Sequence, residues 1–376
     1  MKRRVSILGT RGVPATHGGF ETFADHLSRY LAARDWDVTV YCQHAGRGKT
    51  YVDDWRGVKR VNVPVAASGA AGTVQFDVVS TMLSLRDQGV HLVLGYNTAF
   101  LNLALRVAGK HVVMNMDGLE WKRGKWSAPQ RTWLRANEFI GAKTAQHLVA
   151  DHPHIADHLK GLRYARAITT IPYGSDTVTA AGEAVPLRLG VEPAEYYLTV
   201  ARIEPENSLL EIVMALSGGP DAKRLVVLGP FDPAGNGYHA SIAAAAGSNC
   251  SFPGPVYEPA ELQALRFHAF AYVHGHTVGG TNPSLVEAMG AGNAVLAHDN
   301  VFNRWVAAEG ASYFTDAESL RTAARALEAD PTTVRRMAAA NRARHASTFT
   351  WETVLAQYEA VLERAVSGGH GVPAAA

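Results

Sequence analysis

The stretch HGHTVGGTNPSLVEAMGAGNAVLAHD, residues 274–299, restricts the architecture more than any other part of the chain. Tyr272 and Val273 close an apolar run of β type just ahead of it. Gly279 and Gly280 make a turn that only flexible backbone tolerates. Pro283 stands where a helix would begin, because its missing N–H is no loss at the first helical position. Leu285, Val286 and Met289 then recur at helical spacing, Gly290 and Gly292 end the helix, and Ala294–Ala297 reads as a second buried strand. The segment is a β–loop–α–β unit. A glycine loop feeding a helix N-terminus can hold an anion, since free N–H groups and the helix dipole converge there. Glu287 lies one turn inside that helix, where a carboxylate can accept from sugar hydroxyls. Two readings stand side by side at this point: a diphosphate loop with a ribose carboxylate, or an ordinary crossover with a surface Glu.

The same alternation runs through all 376 residues. In the first half, strands are expected at Val5–Leu8, Val38–Cys42, Val58–Val63, Val90–Leu94, His111–Asn115, His147–Ala150 and Ile168–Ile171. Helices separate most of them. One, from Phe20 to about Ala33, places Phe20, Phe23, Ala24, Leu27 and Leu31 on one face. GRGKTYVDDWRG reads as loop and residues 66–72 as a flexible connection. Pro172-Tyr173-Gly174 reads as a hinge, after which strands at Tyr196–Val200, Arg224–Leu228, Cys250–Phe252 and Ala269–His274 repeat the pattern. Strands separated by helices imply parallel sheets covered on both faces, and two such halves imply a cleft between them. The expected division is 1–172, 173–348, a helix 349–366, and a disordered tail 367–376.

Composition narrows the function classes. With 36 Lys+Arg against 34 Asp+Glu, the chain lacks the charge of a protein that coats nucleic acid. Its two cysteines, Cys42 and Cys250, sit in apolar runs and read as buried thiols of a reducing compartment. The N-terminal MKRRVSILG begins a strand at once rather than a signal peptide, and no run has the length of a membrane span. A cytoplasmic protein is expected, with contact at a membrane surface still open.

Ligands of open α/β sheets bind beyond the carboxyl ends of the strands, so the loops after strands carry the chemistry. In ARIEPEN, Arg202 suits a bidentate phosphate contact or a salt bridge to Glu204, and Asn207 reads as a helix N-cap or a cleft residue. In GTRGVPATHGG, Gly18-Gly19 precede a helix in an anion-binding arrangement, flanked by Arg11 and His17. Glu21 answers the dipole of that helix or faces a ligand. In MDGLEW, Asp117, Glu120 and Trp121 suit a sugar, through hydroxyl bonds and ring stacking; Asp117 serves as base, acceptor anchor or turn cap. Asp35-Trp36-Asp37 precedes its strand and reads as a turn rather than a metal motif. The pairs His274/His276 and His152/His154 lack clustered carboxylates, so no metal is expected. LEWKRGKWSAPQRTWLR sets Lys122, Arg123, Lys125, Arg131 and Arg135 among Trp121, Trp126 and Trp133, a composition shared by anionic-membrane surfaces and by solvated helices with an aromatic core face.

Taken together, GTRGVPATHGGFETF, MDGLEWKRGKW, ARIEPEN and HGHTVGGTNPSLVEAMGAGNAVLAHDNVFNR resemble the GT-B glycosyltransferases, and within them the retaining family-4 enzymes of the bacterial rhamnosyltransferase subgroup. The resemblance runs from Val5 to about Glu363. It implies two Rossmann-like parallel-sheet domains facing an interdomain cleft. It implies that Arg202 contacts the donor diphosphate, that Glu287 binds the donor ribose, and that Gly18 and Gly19 lie near the donor phosphate and sugar. Asp117 falls where relatives carry a catalytic-loop His or Asp, and PGPV around Val256 falls where they bind the nucleobase. Asn207, Gly279, Gly280, Thr281, Asn282 and Ser284 complete the implied donor site; His17, Glu21, Asp117, Glu120 and Trp121 form the implied acceptor side. The final helix matches one that crosses back onto the first domain.

Three departures matter. Gly279 replaces the first Glu of the family's Glu-x7-Glu motif, Asn207 replaces a Lys beside the phosphate, and Asp117 replaces the usual His. The implied reaction moves a 6-deoxyhexose from dTDP-rhamnose to a lipid-linked saccharide with retention, without cofactor or metal, catalysed through Arg202, Asp117 and Glu287, in cell-surface polysaccharide synthesis. A UDP-hexose donor, a sugar-nucleotide epimerase and a silent sugar-nucleotide sensor are the rival expectations.

Overall fold

The computed structural model describes residues 2–16, 18–162 and 167–367. The chain divides into two compact units, 1–172 with 351–376, and 173–350. The first is built on an eight-stranded sheet: β1 (Arg3–Leu8), β2 (Trp36–Ala45), β3 (Tyr51–Trp55), β4 (Val58–Val65), β5 (Val90–Leu94), β6 (His111–Asn115), β7 (His147–Ala150) and β8 (Ile168–Thr170). Their spatial order is β3-β4-β2-β1-β5-β6-β7-β8, parallel apart from the antiparallel β3–β4 pair. The second carries six parallel strands, β9 (Tyr196–Val200), β10 (Arg224–Leu228), β11 (Cys250–Ser251), β12 (Ala271–His274), β13 (Ala294–His298) and β14 (Ala311–Phe314). Their order is β11-β10-β9-β12-β13-β14.

Strands buried on both faces explain the continuous apolar runs: Ile7, Val40, Leu92, Val112, Val113 and Leu148 are all fully buried. The Gly19–Ala32 helix buries Phe23, Ala24, Leu27 and Leu31 as its spacing predicts. The helix Trp351–Val366 packs within the first unit, burying Val354, Leu355, Tyr358 and Leu362. In the second unit, Leu285, Val286 and Met289 of the Pro283–Gly290 helix pack against Tyr196, Leu198, Tyr272 and Val295 of the sheet.

Four local expectations change. The stretch read as loop before Val58 contains β3. Arg56 (φ 55°) and Gly57 (φ 80°) both take positive φ, which makes a two-residue hairpin turn, and Arg-Gly lacks the usual Asn-Gly signature. Residues 66–72, read as flexible, include the start of a helix, Gly69–Ser84. The helix Pro153–Gly161 between β7 and β8 was not expected; His152 caps it by accepting the His154 N–H at Nδ1. Asn207 is not an N-cap: it ends a 3-10 turn, and Ser208, left-handed at φ 50°, precedes the helix Leu209–Leu216. Asp35 (φ 62°) sits in a left-handed turn and Trp36 opens β2. The tail 368–376 lies outside the described residues.

Candidate functional site

Sheet topology locates two places for a ligand. In an open parallel sheet a crevice opens where neighbouring strands send their chains to opposite sides. In the first unit that point lies between β1 and β5, in the second between β9 and β12. The loops leaving these strands are Gly9–Gly18, Gly95–Thr98, Ala201–Asn207 and Gly275–Asn282.

In the second unit the loops after β9, β10 and β12 close on one another through glycine. A Cβ on Gly275 would lie 2.2 Å from the Asn207 carbonyl oxygen, and one on Gly229 would lie 2.1 Å from that of Ala201. Thr277 donates both its N–H and its hydroxyl to Glu206 O, at 3.0 and 2.9 Å. Asn207, buried, donates Nδ2 to Arg202 O at 2.7 Å, so its amide shapes the loop that carries the arginine. The Arg202 side chain is half-exposed, and its partner Glu204 is 3.6 Å away. Asn282 caps the Pro283–Gly290 helix, its Oδ1 accepting from Ser284 N (3.1 Å) and Ser284 Oγ (2.8 Å). The Asn282 and Ser284 side chains therefore serve each other, and the helix N-terminus presents backbone N–H groups. Gly279 has φ 156°, a backbone state that side-chain-bearing residues rarely adopt, with open space where a Cβ would stand. The departure from Glu at this position comes with a backbone built for glycine. Gly280 and Thr281 continue the loop, with Thr281 buried. Val256 is half-buried after β11 and packs against the core that includes Leu285 and Val286.

Glu287 is tied to a buried arginine. Its Oε2 lies 2.5 Å from Nη2 of Arg266, whose side chain is 4% exposed, while Glu287 keeps about a third of its own side chain exposed. The carboxylate thus anchors a buried cation and still reaches solvent. His274, at the end of β12, is buried with neither ring nitrogen hydrogen-bonded among the described residues, and it stacks on His276 at 4.4 Å. Burial, with His276 and His298 beside it, holds its imidazole neutral.

In the first unit the loop after β1 is fixed from several directions. Arg60 Nη1 donates to Val13 O at 3.1 Å while its fork grips Asp53 at 2.7 and 2.6 Å. Ala15 N donates to Asp25, itself paired with Arg29. Gly18 (φ 104°) caps the Gly19–Ala32 helix, and the Glu21 carboxylate folds over it so closely that a Cβ on Gly18 would lie 2.2 Å from Oε2. Glu21 also accepts the Arg11 N–H at 3.3 Å. His17 lies outside the described residues.

After β6, Asp117 takes a left-handed φ of 55°. Asn115 holds it there: Oδ1 accepts Asp117 N at 2.8 Å and Nδ2 donates to Tyr358 OH at 2.6 Å. Burial pushes the Asp117 carboxyl above its ordinary range, Glu120 adds to this, and the Gly118 N–H opposes it. Glu120 is committed elsewhere, meeting Arg123 (2.6 Å), Lys125 (3.0 Å) and the Trp126 indole N–H (3.2 Å). Trp121 donates to buried Glu138 at 3.2 Å, with Arg135 and Lys122 over its ring. Trp133 donates to Asn97 O and stays 49% exposed. The basic, tryptophan-bearing segment is therefore largely self-satisfied, leaving Trp133, Lys122, Arg131 and Arg135 outermost. Among the described residues no helix is long and apolar enough to cross a membrane.

A cavity of about 290 Å³ lies at the β1/β5 switch point, lined by Leu8–Arg11, Phe20, Glu21 and Gly95, and by Phe76, Asp77, Ser80 and Thr98 among others. Sequence reasoning passed over Asp77. The Gly69–Ser84 helix turns its polar residues Asp77, Ser80, Thr81 and Ser84 inward and leaves Val74 and Met82 exposed, the reverse of the usual pattern. That inversion, readable as Asp and Ser on one face of an otherwise apolar helix, was the available signal.

Comparison with solved structures fits these two units. Sucrose-phosphate synthase of Thermosynechococcus elongatus superposes with a TM-score of 0.83 at 16% identity, covering 98% of this chain and 100% of its own. HepE of Anabaena, in complex with UDP and glucose, gives 0.73 at 15% identity over 96% and 100%. WaaG, a glycosyltransferase involved in lipopolysaccharide biosynthesis, gives 0.69 at 16% over 97% and 100%. The fold is GT-B. Residues 2–176 match a family described as a domain of unknown function, DUF1972, a stretch that ends close to the boundary of the first unit at Pro172. No curated protein sequence matches the chain.

Proposed function

We propose that the chain is a glycosyltransferase that takes a sugar from a nucleoside-diphosphate donor held by the second unit. The observation that carries this is the switch point of the second sheet. There the arginine loop Ala201–Asn207, the glycine loop Gly275–Asn282 and the start of the Pro283–Gly290 helix converge. Arg202 and the backbone N–H groups would stabilise the negative charge that develops on the departing diphosphate, so no metal is required in this reading. Glu287 would accept from the ribose hydroxyls through its exposed part, and Val256 would lie along the nucleobase. The acceptor hydroxyl would attack on the face the diphosphate leaves, its proton passing to a phosphate oxygen, with Asp117 and Glu21 orienting the acceptor. The finer reading is transfer of L-rhamnose from dTDP-rhamnose to a lipid-linked saccharide, with retention. Gly279 supports it, since a deoxy sugar offers one hydroxyl fewer to bind. A UDP-hexose donor is the second reading, favoured by the UDP and glucose bound to HepE at the same fold.

Incubation with labelled dTDP-rhamnose, UDP-glucose and UDP-galactose, each with a lipid-diphosphate saccharide and with or without EDTA, separates these readings. Rhamnosyl product with an unchanged anomer by NMR, indifferent to EDTA, is expected. Hexosyl product alone refutes the donor assignment, and donor turnover without transfer refutes the transferase reading.

We also assign the surface around Trp133, Lys122, Arg131 and Arg135 to contact with an anionic bilayer at the cytoplasmic face. Sedimentation with phosphatidylglycerol vesicles is expected, weakened in Trp133→Ala and absent with neutral vesicles. Binding that ignores lipid charge removes this assignment.

A further inference from the structure

The cavity at the β1/β5 switch point takes Gly19 and Glu21 from the expected site, but Asp77 and Thr98 in its lining have no role in the sequence reading. Its lining contains a carboxylate without a counter-ion. Asp77 is 8% exposed, and among the described residues its side chain has one hydrogen-bond partner, the Thr98 hydroxyl, which donates to Oδ2 at 2.8 Å. No Lys or Arg among the described residues pairs with it. Ser80, one turn on, spends its hydroxyl proton on the Asp77 carbonyl. A carboxylate in such surroundings is short of donors, and leaving it so is costly. Burial accordingly raises its pKa to about 6, which still leaves it mostly ionised at neutral pH.

The rest of the lining narrows what can supply the missing donors. Asp77 and Glu21 put two acidic residues in the lining against one basic residue, Arg11, which disfavours phosphate or carboxylate ligands. Phe20 and Phe76 line the cavity, and the Phe20 ring lies beside Gly95, where a Cβ would approach it to 3.2 Å. The volume falls at the low end of small-molecule sites, roughly 300–1,000 Å³, enough for one ring rather than a chain of them. A neutral ring bearing several hydroxyls supplies the donors, avoids the repulsion and suits a lining that includes aromatic residues.

We propose that this cavity is a subsite for a single uncharged sugar ring, with Asp77, oriented by Thr98, as the residue that selects hydroxyls over anionic groups. The binding claim stands on the cavity alone. Its assignment to the acceptor rests on the transferase reading given above.

The test is ligand binding to the full chain by saturation-transfer and relaxation NMR. The probes are methyl pyranosides of hexoses and 6-deoxyhexoses, the matching hexose 6-phosphates, and dTDP. Neutral glycosides are expected to bind and the 6-phosphates to bind at least tenfold more weakly. Asp77→Asn, which keeps the shape but cannot accept at both oxygens, is expected to lose about tenfold for the glycosides, and Thr98→Val to lose less. Both variants are expected to bind dTDP as the wild type does. Folding is read separately: Asp77→Asn removes a buried unpaired charge and is expected to melt higher than wild type at pH 7.5, the gain fading as pH falls from about 6 through the ordinary carboxylate range, where the folded and then the unfolded carboxyl take up a proton. Wild-type glycoside affinity in folded Asp77→Asn, phosphates binding better than neutral sugars, or no glycoside binding at all would each overturn the proposal while dTDP binding persists. Loss of dTDP binding in the wild-type chain would instead strike the donor reading and leave the cavity assignment intact.

Discussion

Glu287→Ala is expected to destabilise the second unit by roughly 3 kcal/mol, the low end of the range for stripping one partner from a buried ion pair. The Arg266 guanidinium is the reason. Its side chain is 4% exposed, it meets Glu287 Oε2 at 2.5 Å, and its Nε has no hydrogen-bond partner among the described residues. Removing the carboxylate strands a cation between the helices Pro259–Phe267 and Pro283–Gly290. The loss is set below that of a fully enclosed pair because Glu287 is 32% exposed. Urea unfolding of the full chain measures it, read at the transition of the second unit. Glu287→Gln, which can still accept from Arg266, should lose less, and the double change Arg266→Met, Glu287→Met should recover most of the stability. A midpoint unchanged in Glu287→Ala would mean that the pair does not hold the helices. This carries a consequence for function: activity lost in Glu287→Ala mixes folding with ribose binding, and Glu287→Gln is the cleaner test.

Arg202→Ala should behave in the opposite way, with a wild-type melting point and a fall in kcat/KM for transfer of about 10²–10³-fold. Its side chain is 52% exposed and its one ion pair among the described residues, to Glu204, spans 3.6 Å. Exposed pairs of this kind contribute about 0–1 kcal/mol, so the fold scarcely needs it. Its placement is set by the loop backbone instead, through Asn207 and the glycine contacts at Gly229 and Gly275. Arg202→Lys, which keeps the charge but not the planar fork, should fall between the two. Steady-state kinetics with the donor found active decides it. A loss smaller than threefold in Arg202→Ala would remove the residue from the diphosphate.

The site residues divided according to whether their surroundings lay nearby in sequence. Asn282 and Ser284 serve each other two positions apart, and Gly18 and Glu21 belong to one helix start, so their structural partners lie within local reach. Asn207 looked like a cap because a helix follows it. Ser208 takes that position, and Asn207 reaches back five residues to Arg202 instead. Glu120, read as facing a sugar, is held by Arg123, Lys125 and Trp126, all within six residues, yet nothing in the spacing showed that these cations fold back on it. β3 escaped notice because its Arg56-Gly57 turn carries a weak hairpin signal.

By itself the sequence determined the alternation of strands and helices, because parallel strands buried on both faces must be apolar throughout and their helices must each keep an apolar stripe. It also determined which loops carry glycine, because close backbone approach at Gly9, Gly229 and Gly275 leaves no room for a Cβ. The tertiary structure alone decided the strand order, and with it the two switch points β1/β5 and β9/β12. Which strands become neighbours depends on long-range packing rather than on local pattern. For the same reason it alone brought Arg266 to Glu287, 21 positions along the chain, and Thr98 to Asp77, also 21 positions along. A buried charge declares itself only when the groups around it are known.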